Sequence, residues 1–381
     1  MRFVFYTHSL VSDWNHGNAH FLRGVMRELA ARGHQTLALE PADGWSRANL
    51  VADQGEGPLE DFARDFPELE ARAYGPGFDH AQALDGADVV VVHEWTDPDL
   101  VAHVGALRAQ GGFRLLFHDT HHRMVSSPEG LAEMTLRDYD GVLAFGAALA
   151  ERYRARGWGR EVFVWHEAAD DRLFRPCEPD PEAGELIWIG NWGDDERAAE
   201  LEEFLVAPAE DLDLFAMVRG VRYPDAALRR LAEAGIAHRG WIANARVPAA
   251  FAAHRVTVHV PRRPYVEALP GIPTIRPFEA MACGIPLVSA PWDDAEGLFR
   301  PGTDHLRARD GAEMRAHLRA ILSDPDLAAE LSREGRATIA ARHTCRHRVD
   351  ELEGILAALG RPVAASVPPP ARPLPMKEAA R

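Results

Sequence analysis

The chain contains almost no lysine. Of its 42 lysine and arginine residues only Lys377 is a lysine. A lysine Schiff base or lysine nucleophile in the folded body is thereby excluded. So is a P-loop, since the string G-x-x-x-x-G-K-[ST] occurs nowhere. Cysteine is scarce as well. Cys177, Cys283 and Cys345 are scattered, which excludes a disulfide framework and a clustered cysteine metal site. A reducing cytoplasm is the compartment expected. No run approaches the ~18 apolar residues that would span a membrane. The opening MRFVFYTHS lacks a basic region, an apolar stretch and a cleavage site, so no secretion signal is expected. No G-x-G-x-x-G follows the first apolar run; the residues there read HSLVSDWNHG, which argues against a dehydrogenase. Positive charge is in deficit, 42 basic against 58 acidic residues for a net −16. Such a surface repels nucleic acid and anionic lipid, so a phosphate-bearing ligand would need a local cluster of donors.

What is present points to two domains. The length of 381 residues exceeds one ordinary domain, and 46% hydrophobic with 26% charged residues is normal for a globular chain. Strand-like runs alternate with helical periodicity. Arg2–Thr7, Thr36–Leu39, Val89–Val92, Arg114–Phe117 and Val142–Phe145 are strands in the first half, and four consecutive valines mark a strand buried on both faces. A helix capped by Asn18 carries Phe21, Leu22, Val25, Met26 and Leu29 at helical spacing, with Gly33 as its left-handed stop. Trp165–Glu185, with Pro176, Pro179 and Pro181, reads as a linker. After it come strands at Leu186–Ile189, Leu214–Val218, Arg255–Val260 and Pro286–Ser289, with helices at Asp195–Leu205, Asp225–Ala234, Pro248–His254 and Thr274–Ala282. The pattern predicts an α/β protein of two Rossmann-like, doubly wound parallel sheets facing a cleft. The expected division is 1–168, 169–345, a last helix at 346–360 and a disordered Pro/Ala-rich tail at 361–381. In open α/β sheets ligands sit beyond the carboxyl ends of the strands, so function is sought there.

One segment is most informative: PGIPTIRPFEAMACGIPLVSAP, Pro270–Pro291. A turn at Gly271 and Pro273, an N-cap at Thr274 and a helix after it would present free N–H groups and a positive dipole end to an anion. Arg276 lies in the first turn, and a cleft-facing Glu279 could accept hydrogen bonds from two ribose hydroxyls.

These residues resemble the donor-binding motif of group-1 glycosyltransferases of the GT-B fold, most closely the spore-maturation (CgeB-type) branch. Weaker likenesses are Gly17–His34, the linker Trp165–Pro176, Ile189–Arg197 and Gly240–Trp241. The resemblance implies a nucleotide-diphosphate sugar bound by the second domain, an unknown acceptor bound by the first, transfer of a hexose-type sugar, and no metal or other cofactor. By position, Glu279 would hold the ribose. Gly190, Asn191, Thr274 and Ile275 would face the diphosphate, with Arg262, Arg263 and Arg276 as its local positive charge. Gly240, Trp241 and Ile242 would meet the nucleobase. Gly271 stands where many retaining members carry a first glutamate, so the stereochemistry stays open.

Histidine is abundant, 18 in all, and clusters at predicted strand ends. His8, His16 and His20 follow the first strand; His118, Asp119, His121 and His122 close another in FHDTHHR. His118 is expected to contact the donor sugar or β-phosphate, with Asp119 orienting a neighbouring imidazole, and Asp13 or His16 to act as base. His8, His20, His121 and His122 fall on the acceptor side. Two other functions fit part of the pattern: a metal-dependent hydrolase built on the 118–122 loop, and a nucleotide-sugar epimerase or binding protein of the same fold that transfers nothing.

Overall fold

The computed structural model describes residues 1–178 and 184–360. Its first sheet holds β1 (Arg2–Tyr6), β2 (Gln35–Pro41), β3 (Ala71–Tyr74), β4 (Val89–His93), β5 (Arg114–Asp119), β6 (Gly141–Ala144) and β7 (Val162–Val164). Their order is β3-β2-β1-β4-β5-β6-β7. The second sheet holds β8 (Gly184–Ile189), β9 (Ala216–Arg219), β10 (Ala237–His238), β11 (His254–His259), β12 (Leu287–Ser289) and β13 (Leu306–Arg307), in the order β10-β9-β8-β11-β12-β13. Every pair within the two sheets is parallel. In each sheet the chain runs outward from its first strand, then returns to build on the other side. The order reverses beside β1 and beside β8, and a ligand crevice opens at such a point.

All five residues of β4 are buried, as expected of a valine run in a sheet covered on both faces. The four strands without a counterpart in the sequence reading, β3, β7, β10 and β13, are two to four residues long and lie at or next to sheet edges. β3, β10 and β13 have no apolar run to betray them, and the run in β7 is only three residues long. Residues 194–211 also differ from the single helix expected at 195–205. They form a 3₁₀ turn, one α turn, a π-type stretch at Glu202–Val206 and a short helix at Ala207–Asp211. Pro208 lies in that final piece, where it has no N–H to continue the ladder.

The first helix, α1 (Asn18–Ala31), turns Phe21, Leu22, Val25, Met26 and Leu29 into the core. Asn18 is its first residue, not its cap; Gly17 holds that place. Gly33 follows the helix end at φ 81°, the left-handed stop expected of it. A helix later in the chain, α2 (Ile275–Cys283), begins at the cleft; α3 (Pro325–Arg342) and α4 (Cys345–Ala358) follow. The break between the last two falls at His343. Val349, Leu352, Ile355 and Leu356 of α4 join the α1 core, each worth about 1.5–3 kcal/mol when fully buried. Gly24 permits this approach: a Cβ there would lie 2.5 Å from Cys345 Sγ and 2.7 Å from Asp170 Cβ. The tail at 361–381 and part of the linker, 179–183, lie outside the described residues. No helix among the described residues is long and apolar enough to cross a membrane.

Several polar bridges join the domains. Asp13 accepts from Arg23 Nη1 at 2.8 Å within its own domain, and from Trp241 Nε1 at 3.1 Å and the Asn244 amide at 3.0 Å across the junction. Glu296 accepts from the Ala147 amide at 2.9 Å and lies 3.0 Å from His166 Nε2. His20 makes another. Its Nε2 accepts from the Asp170 amide at 3.0 Å, which leaves Nδ1 to donate to Glu279 Oε1 at 2.7 Å. The ring also stacks on Phe174 at 3.9 Å.

Candidate active site

A cavity of about 710 Å³ lies between the sheets at the carboxyl ends of their strands. The second domain supplies one wall. The chain leaving β8 turns through Gly190 and Asn191, both on the cavity. Gly190 N–H donates to Arg219 O at 2.8 Å, Tyr223 Oη donates to Gly190 O at 2.8 Å, and Asn191 Oδ1 accepts the Val221 amide at 3.0 Å. The turn is therefore rigid. Facing it, Thr274, Ile275 and Arg276 open α2 on the cavity. Thr274 occupies the cap position at φ 60° and makes no side-chain cap hydrogen bond, contrary to the N-cap expected of it. Pro277 stands third in the helix, so the forward N–H groups are those of Ile275 and Arg276. An uncapped helix start on a cavity favours an anion.

Five arginines line the cavity: Arg123, Arg197, Arg222, Arg262 and Arg276. Three are paired with carboxylates: Arg222 with Asp194, Arg262 with Glu196 at 2.8 Å, and Arg276 with Glu279. Arg197 has no carboxylate within ion-pair reach among the described residues. It donates to the carbonyls of Val260 (2.9 Å), Trp192 (3.3 Å) and Asn191, and stacks on Trp188 at 5.1 Å. Burial of the guanidinium, and then repulsion from Arg262, pull it down to about 9, still cationic at neutral pH. A charge held this way gains strongly from an incoming anion.

The first-domain wall has a different chemistry. His8 and His16 leave β1 and meet edge to face at 5.1 Å, and His93 from β4 approaches His16 at 6.1 Å. Burial lowers all three: His8 to about 4, His93 to about 3 and His16 well below its ordinary value. They are neutral at pH 7. His93 is committed on both sides, with Nε2 3.1 Å from Thr120 Oγ1 and Nδ1 2.9 Å from Glu94 Oε2. His16 Nε2 is buried with no partner. Glu167 also lines the cavity; burial raises it to about 8, and Asn18 Nδ2 donates to it at 3.1 Å. The loop that carries these groups is anchored by buried Glu40, which accepts from Ser9 Oγ, Leu10 N and Val11 N at 2.9, 2.7 and 3.1 Å.

Most sequence candidates reach the cavity. His8, His16, His121, His122, Gly190, Asn191, Arg262, Thr274, Ile275 and Arg276 all line it. Others do not. Glu279 is wholly buried, one turn into α2, tied to His20 and Arg276 and directed at α1. The cleft-facing carboxylate expected there is instead a support for Arg276. His20 accordingly sits in the domain junction. His118 lies behind the cavity wall, packed on Trp165 at 4.9 Å, with His93 in front of it. Asp119 orients no imidazole: it accepts from Tyr153 Oη at 2.7 Å and from the backbone amide of His121 at 3.0 Å, and burial raises it to about 8. Asp13 is consumed by its bridge. Trp241 and Ile242 line a separate cavity of about 430 Å³ that also contains Asp13, Arg23 and Phe62. Gly240 is on neither cavity; its carbonyl accepts from Gly220 N–H at 2.9 Å. Arg263 points away and pairs with Glu200 at 2.9 Å. Gly271 has φ 89°, and a Cβ there would meet Glu296 Oε1 at 2.8 Å, so a glutamate does not fit this backbone.

Arg123, Arg197, Arg222, Glu167 and His259 are cavity residues absent from the candidate list. His259 ends β11 just as His93 ends β4, so extending the strand-end rule to the second sheet finds it. Arg197 carries no such mark. Among the described residues no three His, Cys, Asp or Glu side chains converge as a metal site, so the 118–122 loop does not assemble a ligand set.

The two-domain arrangement is the GT-B fold. A family model described as glycosyl transferase-like matches residues 197–354. No curated protein matches the chain. Among solved structures, sucrose-phosphate synthase from Thermosynechococcus elongatus is similar at TM-score 0.65 and 17% identity, covering 94% of this chain and 99% of that one. Anabaena HepE in complex with UDP and glucose gives 0.65 and 15%, covering 94% and 100%. T4 phage BGT with its UDP-glucose substrate gives 0.61 and 11%, covering 94% and 99%.

Proposed function

We propose that this protein is a glycosyltransferase that moves a hexose-type sugar from a nucleoside-diphosphate sugar to an acceptor hydroxyl. The observation that carries the reading is the convergence, on one cavity wall, of the Gly190–Asn191 turn, the uncapped start of α2 and Arg197 without a carboxylate partner. A diphosphate placed between turn and helix receives amide N–H groups from one side and guanidinium groups from the other. The matched glycosyl transferase-like model lies over this domain, and the bound ligands of HepE and T4 phage BGT favour uridine and a glucose-like sugar.

In the reaction the acceptor oxygen forms a bond to the anomeric carbon. The bond from that carbon to the diphosphate oxygen breaks, and its electron pair leaves with the diphosphate. Arg197, Arg262, Arg276 and the helix N-terminus stabilise the charge that develops there. The acceptor proton goes to His16, which is neutral and has Nε2 free. Glu279 acts through Arg276, fixing the guanidinium at the cavity edge. Enclosure between the domains keeps water from taking the sugar.

A thermal-shift panel of UDP, GDP, dTDP and ADP tests the reading. A ligand that binds only the folded state raises the melting temperature, by about 2.7 kcal/mol of added stability at 100 times its Kd. UDP is expected to shift it most. Absence of a shift with all four would remove the donor site and the function with it.

A further inference from the structure

We propose that the acceptor is itself a carbohydrate, one sugar ring of which is clasped by Trp45 and Trp95 at the mouth of the cavity. The inference rests on the glycosyl-transfer reading and names the substrate class of its acceptor side. Among the described residues only four large apolar side chains are exposed: Trp45 at 46%, Trp95 at 44%, Phe215 and Val266. Both tryptophans line the same cavity. Leaving an indole in water is unfavourable, so two at one opening mark a place for a ligand with apolar faces.

Their position follows from topology. Trp45 opens the helix after β2, and Trp95 follows β4; these strands flank β1 on either side. Neighbouring strands are ~4.8 Å apart, so the two loops stand roughly 10 Å apart across the end of β1. His8 lies between them, 6.3 Å from the Trp45 ring and 6.2 Å from the Trp95 ring, with His16 just behind. The slot thus has two aromatic sides and a floor of hydrogen-bonding imidazoles. A pyranose matches it: its C–H faces suit the electron-rich indole faces, and its hydroxyl edge reaches the histidines.

The indoles are also held in place. Trp14 abuts Trp45 edge-on at 5.2 Å and is itself anchored by Nε1 to Asp53 at 3.0 Å. Arg123 stacks over the Trp95 ring at 4.4 Å, so the exposure of Trp95 comes from the remainder of its surface. Arg222 reaches Trp45 across the domain gap at 5.9 Å. Rigid aromatic walls beside the free nitrogen of His16 place a ring hydroxyl where the base can take its proton.

The test uses the full chain loaded with UDP on an array of neutral oligosaccharides, beside a panel of phenols and nucleosides read by tryptophan fluorescence. The wild type is expected to retain a subset of glycans. Trp45→Ala and Trp95→Ala should each lower that retention at least ~10-fold while keeping the UDP thermal shift, and Trp45→Phe or Trp95→Phe should restore most of it. Retention of no glycan, retention by both alanine variants equal to the wild type's, or capture of flat aromatics in place of glycans overturns the proposal while an intact UDP shift leaves the donor reading standing. Loss of the UDP shift in the wild type overturns both.

Discussion

On the second-domain wall Arg197 is enclosed with no carboxylate within ion-pair distance among the described residues, while in and behind the first-domain wall Glu94, Asp119 and Glu167 are buried with no arginine within that distance. The two walls respond to burial in opposite ways. A guanidinium drawn down to about 9 still carries its charge at neutral pH, held by backbone carbonyls and the Trp188 ring. Carboxyls pushed up to about 8 take on protons and become neutral, and the lowered histidines beside them are neutral too. The second-domain wall therefore carries most of the cavity's charge, while the first-domain wall, Arg123 aside, is lined by neutral titratable groups.

The strongest way to break this contrast is to remove Arg197. Arg197→Leu should weaken UDP binding about 100-fold or more by calorimetry, while the melting temperature changes little, because removal of a buried charge offsets the loss of its hydrogen bonds to three carbonyls. A fall in both would mean that Arg197 is structural. The first-domain wall is probed by His16→Asn. Turnover should drop about 10²–10³-fold in a UDP-release assay with UDP affinity held within roughly twofold; equal loss of both would place His16 with the anion.

A smaller effect sharpens the boundary between the walls. Glu279→Gln should weaken UDP about tenfold through the loss of its hold on Arg276, and leave uridine binding untouched. Weaker uridine binding would instead mean that the carboxylate meets the ribose. The smallest effect is on pH dependence. A carboxyl raised in the folded state binds a proton that the unfolded chain lacks, so its contribution to stability is lost as pH rises from about 4.5 to about 8. Glu167→Gln should flatten the decline in melting temperature across that window and leave the variant the more stable at pH 8. An unchanged slope would show that Glu167 is not the group responsible.

Much of this was legible along the chain. The valine run of β4, the periodic face of α1 and the histidines at strand ends are local patterns, and the fold respects them because burial and the carboxyl-end rule act locally. Four of the candidates that lie off the main cavity share a different property. Glu279, His20, Asp13 and Trp241 each find a partner in the other domain. Glu279 and His20 are 259 residues apart, and no periodicity reports which side of a helix will meet a distant one. Arg197 was overlooked for a similar reason, since its importance lies in a partner it lacks.

The succession of the longer strands and helices along the chain, the buried runs and the helix start beside a turn were determined by the sequence alone, because each depends on neighbours a few residues away. Which strand-end side chains face the cavity, which are spent joining the domains, and which charges stay unanswered were decided only when two separately built sheets were set against each other. That step depends on distances across the junction, and a linear pattern contains none of them.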